Sequence, residues 1–75
     1  MIKVSSIMGY NYYYRCTPDG RIQRSDDGRK WAMPGKWKGR RVNMAKHTVA
    51  DVEVKLATQL GSGDYAFGAT VVDSA

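Results

Sequence analysis

The side chains that most often carry catalysis are scarce in this chain: His47 is its only histidine and Cys16 its only cysteine. Such a pair cannot furnish a zinc site built on Cys and His, and no Cys-x-x-Cys spacing exists. Distance in sequence leaves open a Cys16 nucleophile with a His47 base, but a small buried cysteine and a histidine in a turn is the simpler reading. Asp26 and Asp27 are adjacent carboxylates that diverge in a turn instead of converging on a hard cation. Gly61–Gly63 lacks the lysine and helix of a phosphate loop. The expectation is a protein that is not an enzyme, with no metal and no cofactor.

Binding chemistry is better supplied. The stretch RIQRSDDGRKWAMPGKWKGRR, Arg21 to Arg41, holds eight Lys or Arg residues, two Trp and three Gly. Guanidinium and ammonium groups neutralise phosphates, and an indole between cations is suited to stacking on a base. The residues expected to form the site are Arg15, Arg21, Arg24, Lys30, Lys36, Lys38, Arg40 and Arg41 for the phosphates, with Trp37 or Tyr13 stacking. Gln23 or an arginine would read base edges. The same residue types are those enriched at protein interfaces. Nucleic acid, DNA or RNA, is the favoured partner, and the alternative is a protein-interaction module or inhibitor that docks its basic surface on an acidic protein.

Charge is polarised along the chain. Up to His47, eleven Lys or Arg face three Asp; from Thr48 onward Lys55 alone faces four carboxylates. The net charge is +5, which argues for polyanionic partners and not for any fold. A chain of 75 residues is expected to make one domain, residues 1–75, burying only roughly 60–65% of its unfolded surface; with so thin a core a homo-oligomer is possible. A lone cysteine rules out an internal disulfide and fits a reducing compartment. The sequence lacks a signal-like or membrane-spanning apolar run, so the expected setting is cytoplasmic, and the size suits a phage or other mobile element.

The elements that must position these residues read mostly as strands. Ile2 and Val4 alternate with Lys3 and Ser5, and YNYYYRC puts Tyr10, Tyr12, Tyr14 and Cys16 on one face with Asn11, Tyr13 and Arg15 on the other. TPDG at 17–20 is a turn, and a second Asp-Gly at 27–28 suits a three-stranded meander. With Tyr10, Tyr12, Tyr14, Ile22, Trp31 and Met33 facing the core, Arg15, Arg21, Gln23 and Lys30 fall opposite. PGKWKG reads as a loop and Arg40 to Met44 as a further short strand. Within RSDDGRKW, the positions of Asp26, Gly28 and Trp31 resemble the Asp-box hairpin S-x-D-x-G-x-T-W of sialidase-like propellers, with Arg24 and Lys30 departing from it. That likeness covers eight residues and implies a hairpin only.

HTVADVEVKLATQL fits two structures. As a helix it has a Thr48 cap, Asp51 in the first turn and a Val49, Val52, Leu56, Leu60 stripe. As a strand, Ala50, Val52, Val54 and Leu56 alternate with Asp51, Glu53 and Lys55. The valines and the wet position this gives Glu53 favour the strand, followed by a turn at GSGD and a last strand with Tyr65, Phe67, Ala69 and Val71 alternating. The expected fold is mainly β, a small antiparallel barrel or strongly twisted sheet of about six or seven short strands. The alternative is α+β: a three-stranded meander, one helix at about 48–60 and a C-terminal strand. In element order alone that arrangement resembles the sheet-plus-helix DNA-binding domains of the plant ethylene-response type and of phage-integrase arm-binding domains.

Overall fold

The structure is a computed structural model that describes residues 1–6, 8–61 and 66–72, with 66–71 described through their backbone. It is α+β. Strands β1 (Ile2–Ser6), β2 (Asn11–Cys16) and β3 (Ile22–Ser25) form an antiparallel meander; helix α1 (Val49–Gly61) follows, and β4 (Ala66–Val71) returns to pair with β1. The sheet order is β3-β2-β1-β4. The mainly-β barrel of six or seven strands is thus overturned, and the α+β alternative describes the chain.

Two segments account for the difference. Val49–Gly61 is a helix because its ends and one face are satisfied that way. Thr48 Oγ1 accepts the Asp51 N–H at 3.1 Å, and Asp51 Oδ2 accepts the Thr48 N–H at 3.3 Å, the reciprocal capping that marks a helix start. Val52, Leu56 and Ala57 are buried, with Val49 and Leu60 packed beside them, whereas Val54 stays 56% exposed. Glu53, whose place within the apolar arc counted against a helix, is buried there and paired: the Met1 ammonium lies 2.6 Å from Oε2 and 2.8 Å from Oε1. Arg40 to Met44, the other expected strand, makes no ladder; its Val42 N–H donates one bond to the Gly20 carbonyl at 2.8 Å. The turn expected at GSGD falls mostly on 62–65, outside the described residues, as does Tyr65.

Local chemistry sets the TPDG hairpin between β2 and β3 as expected, but the chain beyond Asp27-Gly28 adds a single bridge, Arg24 with Ala32, and no third hairpin strand; β1 completes the meander instead. In the TPDG turn the Gly20 N–H donates to the Thr17 carbonyl at 3.0 Å, and Gly20 takes φ +90°, open to glycine without strain. Register pairs Ile2 with Tyr14, Val4 with Tyr12 and Cys16 with Ile22, so one sheet face carries the apolar set. Against α1 it forms the core: Ile2, Val4, Tyr14, Cys16 and Ile22 from the sheet, Val52, Leu56 and Ala57 from the helix. Ile2, Val4 and Ile22 are essentially sealed from solvent, each contributing about 1.5–3 kcal/mol. Among the described residues no helix is long and apolar enough to cross a membrane.

Candidate nucleic-acid interface

The face of the sheet turned away from α1 carries Lys3, Tyr13, Arg15 and Gln23, because Lys3 pairs with Tyr13 and Arg15 with Gln23 in the ladder. Arg15 Nε donates to Gln23 Oε1 at 2.7 Å, and its guanidinium carbon lies 4.2 Å from the centre of the Trp31 ring. Trp31 therefore belongs to this open face, where core placement was expected. The reason is parity: beyond the β3 turn the chain makes a single bridge, Arg24 with Ala32, so Ala32 shares the side of Arg24, and Trp31 and Met33 share that of Gln23. Tyr10 also departs from expectation, at 68% exposed.

The turn that achieves this is built by Ser25 and Asp27. Ser25 Oγ accepts the Gly28 N–H at 2.8 Å, and Asp27 Oδ1 accepts the N–H groups of Arg29 at 2.8 Å and Lys30 at 3.0 Å. These amide donors, with the Ser25 hydroxyl, pull the Asp27 pKa down to about 2. Asp26, which occupies the Asp-box position, points out and meets Arg24 instead, at 3.6 Å. Gly28, at φ +78°, lies against the Tyr13 ring, so Tyr13 is half-buried beneath the turn.

The other expected residues separate into groups. Arg24 lies on the helix side of the sheet, its guanidinium carbon 4.4 Å from the Tyr12 ring centre. Because β3 is the sheet edge, Arg24 still borders a concavity of about 530 Å³ with Lys30, Trp31, Ala32 and Met33. Met33 also borders a second, of about 500 Å³, with Arg21, Gly39, Arg40 and Arg41. Arg40 and Arg41 reach it because Pro34 leads into a short 3-10 turn, Gly35–Trp37, Gly39 turns the chain at φ +77°, and Val42 is tied to Gly20. Trp31 borders a third concavity, with Arg15 and Gly28. The segment 31–33 is thus a seam along which Arg15, Lys30, Arg24, Arg21, Arg40 and Arg41 come together. Asp19, 3.1 Å from Arg21 Nε, and Asp26, beside Arg24, offset part of this charge, and Glu53 borders the third concavity, paired with the Met1 ammonium. The Thr17 hydroxyl first, and then Arg21, hold the Asp19 carboxyl below its ordinary pKa.

Trp37, Lys36 and Lys38 stand apart from this seam. Trp37 packs against the core and lines an apolar groove with Ile22, Val42, Val52 and Leu56, while Lys36 Nζ sits 5.9 Å from its ring centre. The two tryptophans thus exchange the positions their sequence neighbours indicated. No local signal marks Trp31 as the partner of Arg15, since the contact is made through β2, β3 and the turn together. Cys16 donates to the Thr17 carbonyl at 3.4 Å, and burial, reinforced by the Glu53 and Asp19 carboxylates, pushes its thiol pKa up. Among the described residues no three His, Cys, Asp or Glu side chains are placed to hold a metal ion. Comparison of the chain with family models, with curated proteins and with solved structures returned no match.

Proposed function

We propose that this protein is a small cytoplasmic nucleic-acid-binding module, not an enzyme, that holds phosphates along the basic seam at the β3 edge. The observation that supports it most is the run of six cations bordering Trp31 and Met33, offset by Asp19 and Asp26 and by a Glu53 carboxylate that the Met1 ammonium already matches. Cations strung along a strand edge suit a repeating polyanion better than a single acidic group. Lys30, Arg40 and Arg41 carry no ion pair among the described residues, which leaves them available to phosphates. Lys36 and Lys38, exposed on the neighbouring turn, would extend the field at longer range.

The test is a salt titration of binding to labelled duplex and single-stranded DNA and RNA. Affinity should fall steeply with salt, with a log–log slope of about −0.9 per phosphate contacted on duplex DNA. Replacing Arg40 and Arg41 together by alanine should flatten that slope by about 1 to 2. A slope near zero, or no binding to any of the four probes, would overturn the proposal and leave an acidic protein as the ligand that the charge calls for.

A further inference from the structure

Resting on that reading, we infer that Arg15, held by Gln23 and Trp31, is a base-reading residue that takes the O6/N7 edge of guanine. Three features set Arg15 apart from the cations around it. Its Nε is committed to Gln23 Oε1, and its guanidinium plane is held over Trp31. Its two terminal nitrogens donate to no acceptor among the described residues. Glu53 borders the same concavity, but its carboxylate is matched by the Met1 ammonium and makes no ion pair with Arg15.

The result is a fork of N–H donors fixed in direction before any ligand arrives. Arginine fixed in this way is suited to planar, paired acceptors, because little rotamer freedom remains to be lost on binding. Gln23, with one lone pair of its carbonyl oxygen taken by Arg15 Nε, has its amide N–H groups left to offer, so donors predominate in what the pair presents. Guanine shows two acceptors side by side in the major groove, while adenine and cytosine each show an N–H₂ donor that such a site rejects. A phosphate also offers paired acceptors, but the exposed cations of the seam already supply that contact and need no such fixing. Arg15 and Gln23 sit side by side on paired strands β2 and β3, on the sheet face that α1 leaves open and next to the β3 edge.

The experiment compares binding of the intact protein to short guanine-containing DNA duplexes, the same duplexes with 7-deazaguanine, which lacks the N7 acceptor, and A·T duplexes. Guanine duplexes should bind about 5- to 150-fold tighter than A·T ones. Either 7-deazaguanine or Arg15→Lys should remove most of that preference, and the two together should remove no more than either alone. The salt slope should stay as in the parent protein, and a thermal melt of Arg15→Lys should confirm the fold; Gln23→Met, which frees Arg15 Nε, should give the same loss of preference. If Arg15→Ala weakens all duplexes equally and lowers the slope by about 1, while Arg15→Lys leaves the guanine preference in place, Arg15 is a phosphate ligand and the inference falls while nucleic-acid binding stands. Absence of binding to every duplex overturns both.

Discussion

Replacing Gly20 by alanine separates two effects that meet at the point where the basic loop is tied to the sheet. Gly20 has φ +90°, and a Cβ there would run into the Val42 carbonyl oxygen with Met44 Cγ 3.1 Å away. Gly39 has φ +77° but nothing within 4 Å of the same atom, so Gly39→Ala carries the conformational term alone. That term is about 1–2 kcal/mol for a left-handed residue, less about 0.4–1 kcal/mol from the stiffer unfolded chain. Gly20→Ala adds displacement of Val42 and loss of its hydrogen bond to the Gly20 carbonyl, about 0.5–1.5 kcal/mol before any repacking. We therefore expect Gly39→Ala to destabilise by about 0–1.5 kcal/mol and Gly20→Ala by at least about 0.5–1.5 kcal/mol more, a sizeable part of the roughly 4–11 kcal/mol expected for a chain this long. Urea denaturation followed by far-ultraviolet circular dichroism reads the difference. Because Val42 carries Arg40 and Arg41 with it, Gly20→Ala should also flatten the salt dependence of polyanion binding. Equal losses in the two variants would refute the close approach of 42 to 20.

Other consequences are as direct. Val52→Ala should destabilise by about 1–3 kcal/mol, while Val54→Ala, on the wet side of α1, should be neutral or gain a few tenths of a kcal/mol; matched losses would mean that the segment is not this helix. Thr48→Ala should cost about 1 kcal/mol through the lost cap, seen as a lower urea midpoint, and an unchanged midpoint would deny the capping role. The folded-state pKa of Asp27, about 2, lies below its unfolded value of about 3.9, so the stability it contributes is present above pH 4 and lost as pH falls towards 2. Denaturant midpoints measured across that window should fall on acidification, and Asp27→Asn should fall less steeply, from a lower starting midpoint. A parallel fall in variant and parent would show that the Ser25–Lys30 turn does not depend on the charge.

Several elements were legible in the residues alone because their causes are local. The TPDG turn needs only Pro18, Asp19 and Gly20, and the alternations in β1 and β2 need only their own side chains. The segment 48–60 was different: a Thr48 cap and a stripe at helical spacing competed with valines at strand spacing, and the valines and Glu53 pointed to a strand where the chain forms a helix. What decided it lies elsewhere. The apolar face of Ile2, Val4, Tyr14, Cys16 and Ile22 needs a covering layer, and Glu53 has its partner in Met1. The basic composition likewise announced a polyanion surface, but not which cations would share it. That depended on the length of the β3 turn, which sets the parity bringing Trp31 under Arg15, and on the Gly20 to Val42 bond, which returns Arg40 and Arg41 to Arg21. Sequence by itself determined the TPDG turn, the faces of β1 and β2 and the sign of the surface, since each follows from neighbours along the chain; the choice of helix, the side taken by Trp31 and the membership of the seam were decided only in the tertiary structure, because each depends on groups that chain folding alone brings within reach.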